Sequence, residues 1–250
     1  MSQGDNRLNI AFIWHMHQPL YKDPFTGGYA MPWVLLHGTK DYYDMAAILD
    51  NYPGIRQTFN LVPSLIEQIN DYSSGDARDL YRDVGAKPAS WLTRPDKEFI
   101  LKNFFHANWD NMIRPLPRYW ELLKKRGAAG SEEDIRAALR YYTEQDYIDL
   151  QALFNLAWID PEIRNSDVFL KGLCRKVTGF TEGEKRGLLD KQIEIIRRII
   201  PKYREGAAKG AIELTTSPYY HPIMPLLYDS SSAKTAMPGA MMPKTRFSHP

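Results

Sequence analysis

Two histidines two residues apart, His15 and His17, close the apolar run "IAFIWHMHQP" and lead into Gln18 and Pro19. Strand side chains alternate between faces, so the two imidazoles point the same way. In a parallel sheet, ligand chemistry collects at the carboxyl ends of strands. Such a pair can hydrogen-bond a substrate, form part of an ordinary loop, or share a metal ion. The metal alternative needs a third ligand, an Asp or Glu from another strand end, and no His-Glu-x-x-His spacing or cysteine pair is present. No metal and no cofactor are expected.

The second set is "GAIELTTSPYYHPI", residues 210–223. Glu213 stands inside an apolar, strand-like run, alternating with Ile212 and Leu214, and Thr215 shares its face. A carboxylate on the inner face of a barrel costs several kcal/mol unless it is paired, hydrogen-bonded or aimed at ligand hydroxyls. On an exposed edge it would need no such partner. Tyr219, Tyr220 and His221 follow at once. Carboxylate, imidazole, amide and aromatic faces gathered on one rim suit a sugar, which offers hydroxyls to hydrogen-bond and a flat C–H face to stack. Trp14 and Trp33 lie close in sequence to the first motif.

These residues need strands to hold them. The first predicted strand is Leu8 to His15; a helix follows within residues 41–54, stopped by Pro53 and Gly54. A second strand is predicted from Ile55 to Val62, and a helix then opens at Pro63, with Ser64 and Glu67 spaced as a capping box. That order is β, α, β, α, as in a parallel sheet with crossover helices. From about residue 76 to about residue 206 only helical patterns and loops are expected, with one helix over 94–113, a long one over 131–159, and one over 181–206. Ser131 opens the second with acids in its first turn, and Thr181 with Glu184 caps the third. Gly206 and Gly210 end this helical insertion, and Ala211 to Thr216 is the third predicted strand.

Three strands in 250 residues are fewer than a complete (β/α) barrel of that length contains. The tail from Ser230 to Pro250 reads as loop, so the chain is expected to be the front part of a longer one. A single cysteine, Cys174, excludes an intramolecular disulfide framework. The 32 basic and 30 acidic side chains set up no strong field for nucleic acid or anionic lipid. No apolar run is long enough to cross a membrane, and Asp5 and Asn6 stand where a signal peptide would be basic, so a cytoplasmic location is expected. The oligomeric state is not set by the sequence.

"HMHQP", "TFNLVPSLIEQI" and "GAIELTTSPYYHPIMPLL" together resemble the first half of glycoside hydrolase family 57, the α-amylase, amylopullulanase and 4-α-glucanotransferase group, over roughly residues 8–230. His17-Gln18-Pro19 and Gly210 with Glu213 match the first two of that family's five signature regions. The resemblance implies an α/β fold: an incomplete barrel of seven strands with parallel pairing, the helical insertion lying between the second and third strands. It implies retaining chemistry on α-glucans or maltooligosaccharides, with His17 and Glu213 lining the glucosyl subsite and Trp14, His15, Gln18, Tyr219 and His221 beside them. The family's nucleophile Glu and acid Asp lie in later regions, and Asp229 is the only acidic residue after Glu213. Catalytic carboxylates are therefore expected beyond Pro250, and the 250 residues alone are expected to be inactive. Two other readings are a carbohydrate-binding or regulatory half-barrel, and a metal-dependent hydrolase of deacetylase or mannosidase type using His15 and His17.

Overall fold

A computed structural model describes residue 8 and residues 10–249 of the chain. Asp5 and Asn6 of the signal-peptide argument, and Asn9 of the first predicted strand, lie outside the described residues. Strand β1 (Ile13–Met16) is shorter than predicted and ends one residue later, because its strand pairing covers only those four residues. Two residues, β2 (Gly28–Tyr29), form a small strand. Helix α1 (Trp33–His37), a wide π turn over Gly38–Tyr42, α2 (Tyr43–Ala47) and a 3-10 turn over Ile48–Asn51 run on from one another, so helix begins at Trp33 rather than at Asp41.

Strand β3 (Gln57–Leu61) leads into α3 (Pro63–Ser74). The predicted Ser64–Glu67 capping box does not form. Val62 is the N-cap and Pro63 occupies the first helical position, which its fixed φ suits. Ser64 thus falls inside the first turn, and its hydroxyl donates instead to the Gln18 carbonyl at 3.2 Å.

The next stretch departs from the expectation of helices and loops alone, since β4 (Arg78–Asp79) pairs in parallel with β2 as a second sheet. Strands of two residues carry no alternation to read. There follow α4 (Leu80–Ala86), α5 (Arg94–Asn103), a π turn over Trp109–Ile113, α6 (Pro117–Arg126), α7 (Glu132–Tyr141), α8 (Glu144–Ala157), α9 (Pro161–Ser166) and α10 (Val168–Lys176). Two predicted single helices are each broken. Asn108 restarts the first break by accepting from the amides of Asp110 and Asn111, while Thr143 and Asp146 form a capping box at the second.

Helix α11 (Glu182–Ala208) opens on the Thr181–Glu184 capping box that the spacing predicts. It runs past Gly206 and stops before Gly210, whose φ of +69° only glycine adopts freely. Gly206 is needed for close packing instead. A Cβ there would lie 2.5 Å from Ile212 Cδ1, so its absence lets α11 press against β5 (Ile212–Thr215). Two short helices, α12 (Met224–Tyr228) and α13 (Ala233–Ala236), lie beyond.

The main sheet is parallel in the order β1-β3-β5. Its buried side carries Met16, Phe59 and Ile212, packed with Leu65, Ile69, Ile196, Ile199 and Tyr203 from α3 and α11. A second core, built from α4 to α8, takes Leu188 and Ile195 from the same α11. One helix therefore serves both cores. Mixed α/β architecture with parallel sheets and many helices is what the residues build. Among the described residues no helix is long and apolar enough to cross a membrane.

Candidate functional site

Strand alternation sorts the sheet into two faces. The register pairs Ile13 with Thr58 and His15 with Asn60, and pairs Thr58 with Glu213 and Asn60 with Thr215. Ile13, His15, Thr58, Asn60, Glu213 and Thr215 therefore share the face opposite α11. Hydrogen bonds cross that face from strand to strand: His15 Nδ1 lies 2.9 Å from Asn60 Oδ1, Asn60 Nδ2 donates to Thr215 Oγ1 at 3.3 Å, and Thr58 Oγ1 donates to Glu213 Oε2 at 3.1 Å. Ser217, just past β5, donates to Asn60 Oδ1 at 3.1 Å.

Three histidines meet at the carboxyl end of this face. The His15 and His17 rings stack with centroids 5.7 Å apart and planes at 16°, while His221 sits 4.3 Å from His15 and 5.1 Å from His17. His221 reaches them from a turn closed by its own amide on the Pro218 carbonyl, with φ at +52°, an uncommon conformation for a non-glycine residue. Among the described residues no group of three or more His, Cys, Asp or Glu side chains is arranged to hold a metal ion.

Burial lowers the pKa of His17, and the neighbouring His221 and His15 lower it further, because a second positive charge beside either is unfavourable. His17 is thus neutral above its ordinary value of 6.5 and stays neutral somewhat below it. Replacing His221 with glutamine is expected to move the His17 titration midpoint part of the way back up, since the larger cause, burial, remains. Imidazole NMR across about pH 5–8, the range in which histidine changes charge, measures both midpoints; an unchanged His17 would refute the electrostatic coupling.

The loop after β1 is bolted down. Gln18 donates through Nε2 to Tyr42 Oη at 2.8 Å and accepts from Tyr21 Oη at 2.7 Å. Gln68, fully buried on α3, accepts from the Tyr21 amide and donates to the Pro19 carbonyl. Burial pushes the Tyr42 phenol up to about 12, against the bond from Gln18, which lowers it. Gln18 therefore holds the scaffold with both ends of its amide.

The sequence-predicted residues are not all brought together. His15, His17 and His221 form one cluster. Glu213 lies across two strands from β1 and one rung below the His15–Asn60–Thr215 row, and it is exposed with Thr58 as its partner, so burial does not impose a charge partner on it. Trp14 is on the opposite face, where its indole donates to Gln57 Oε1 at 2.6 Å. The Tyr219 and Tyr220 rings meet edge to face at 4.7 Å and are both exposed, and the Tyr219 carbonyl accepts from the Ser64 amide, tying the loop to α3. Trp33 packs against Trp158 and His37 and onto the helical core. Asn60 escaped notice in the sequence, although its alternation with Thr58 marks both for the polar face.

A cavity of about 540 Å³ lies elsewhere, among α2, α9, α10 and α11. Its cations are already engaged: Lys191 with Asp167 and Glu194, and Arg198 over the Tyr43 ring at 4.2 Å. The histidine-bearing sheet face is the better candidate, because its polar groups converge at strand ends.

Comparison with curated proteins and with solved structures finds no significant match. A family model, described as Glycosyl hydrolase family 57, matches residues 11–239. That span holds all three strands of the main sheet, the three clustered histidines and Glu213, and on this match the chain belongs to glycosyl hydrolase family 57, a family of glycosidase-type enzymes.

Proposed function

We propose that the exposed polar face of the main sheet binds a glucosyl unit of an α-glucan, as part of the substrate site of a retaining hydrolase or glucanotransferase. The observation that carries this reading is the convergence of three imidazoles, an asparagine amide, two threonine hydroxyls and a carboxylate on one side of a parallel sheet. Each is a hydrogen-bonding group suited to sugar hydroxyls, and Tyr219 and Tyr220 add exposed rings beside them.

Glu213 is a binding group in this proposal. A retaining glycosidase needs two carboxyl groups about 5–5.5 Å apart. Among the residues of β1, β3 and β5, Glu213 is the only acid. Asp229 is held elsewhere, bonded to Arg246 and Ser231, contacts that keep its carboxyl well below the usual carboxylate range. Binding without turnover is therefore the behaviour expected of this chain.

Calorimetric titration with maltooligosaccharides tests it. Saturable binding is expected, weakened about tenfold by Glu213→Gln, equivalent to ~1.4 kcal/mol, with no reducing sugar released by the wild type. Absence of saturable binding at millimolar sugar would overturn the reading, and sustained hydrolysis would overturn the binding-only role of Glu213.

A further inference from the structure

We propose that Asn60 is the positioning residue of His15: its Oδ1 holds the imidazole as the Nδ1–H tautomer, leaving the Nε2 lone pair as the acceptor at the sheet rim. Three contacts meet at this one amide. Oδ1 accepts from Ser217 Oγ at 3.1 Å and faces His15 Nδ1 at 2.9 Å, while Nδ2 donates to Thr215 Oγ1 at 3.3 Å. A carbonyl oxygen has two acceptor positions and no proton, so the ring nitrogen facing it must carry the hydrogen. Asn60 lies on β3, the central strand, and its neighbours lie on both flanking elements, so the amide is fixed from each side.

The arrangement survives a change of charge. Nδ1 carries a proton in this neutral tautomer and in the imidazolium alike, so the bond to Oδ1 persists in both forms. His15 therefore does not swing when it takes a proton, and its stacking with His17 and its tilted contact with His221 are kept. A neutral Nε2 can accept from a hydroxyl but cannot donate to one, which makes His15 select a donor at that point. That this donor is a sugar hydroxyl rests on the proposed function; the tautomer does not.

The test is long-range proton–nitrogen correlation NMR on the full chain labelled in its histidines, followed through pH. In the wild type, His15 is expected with hydrogen on Nδ1 at neutral pH. Asn60→Asp keeps an acceptor facing Nδ1, so the tautomer is expected to stay. Asn60→Leu removes the acceptor and is expected to release the ring toward the Nε2–H form. A wild-type His15 carrying hydrogen on Nε2 overturns the proposal without any variant, so a misfolded Asn60→Leu protein leaves it testable. An unchanged tautomer in a folded Asn60→Leu protein overturns it as well. Maltooligosaccharide titration of the same samples separates the two ideas: a tautomer that responds as expected while the wild type binds no sugar supports the positioning role and sinks the sugar reading alone.

Discussion

Replacing Asp149 with alanine is expected to lower folding stability by about 3–5 kcal/mol, the usual cost of removing one member of a buried, hydrogen-bonded ion pair. Asp149 lies on α8 with a side chain that has no solvent exposure. Its Oδ2 accepts from Arg118 Nε at 2.9 Å and Thr178 Oγ1 at 3.0 Å. Its Oδ1 accepts from Gln145 Nε2 and from the amides of Gly179 and Phe180. Alanine would leave two backbone amides, a hydroxyl and a guanidinium short of an acceptor. Arg118 keeps Asp146 and Glu121, which holds the loss inside the stated range. Urea unfolding with an unchanged m-value measures the effect. A loss under about 1 kcal/mol would mean that water or a loop shift replaces the carboxylate, and the buried-pair account would be wrong. The consequence reaches the sheet, because residues 178–180 lead directly into the Thr181 cap of α11.

Phe59→Ala is expected to cost a similar amount, about 3–5 kcal/mol, as large aromatic truncations in a closed core do. Phe59 is fully buried at the centre of β3, and its ring meets the Tyr203 ring edge to face at 5.1 Å. Against a typical total of about 5–15 kcal/mol, such a loss leaves a marginal protein. Phe59→Leu should cost distinctly less, since most of the volume remains. Because Thr58 and Asn60 flank Phe59 on the opposite face, the His15, His17 and His221 signals are expected to lose dispersion in Phe59→Ala even below its melting temperature. Thermal unfolding combined with imidazole NMR checks both parts, and sharp, wild-type histidine signals in a destabilised variant would show that the two faces are independent.

Much of this was legible in the sequence, for reasons tied to particular residues. The β, α, β, α opening is readable because the strands are apolar runs bounded by proline, and the start of α11 because Thr181 and Glu184 stand at capping distance. The pairing of His15 with His17 follows from alternation alone. That same rule places Trp14 on the other face, so the grouping with the histidines that the family resemblance implies runs against the pleat. Ser64 misled because Pro63 claims the first helical position ahead of it. The helix breaks are carried by Asn108 alone and by the Thr143–Asp146 pair, polar side chains inside otherwise helical periodicity, where a cap and a surface residue look alike. The β2–β4 pairing has no local signature, since two residues cannot show a period. His221 joins His15 and His17 through tertiary structure only.

The hydrogen bonds that cross the polar face between β3 and β5 join residues 155 positions apart, as Thr58 and Glu213 are. At synthesis rates of about 5–20 residues per second, β3 waits on the order of 8–30 s on the ribosome before β5 has even been made. During that interval the polypeptide between them can build its helical core from contacts closer in sequence. Phe59 and the β3 edge stay uncovered meanwhile, an opening for chaperones and for strand-to-strand association alike. The face that gathers His15, Asn60 and Glu213 thus cannot close until β5 has been made, and it stays open when synthesis stalls before that point.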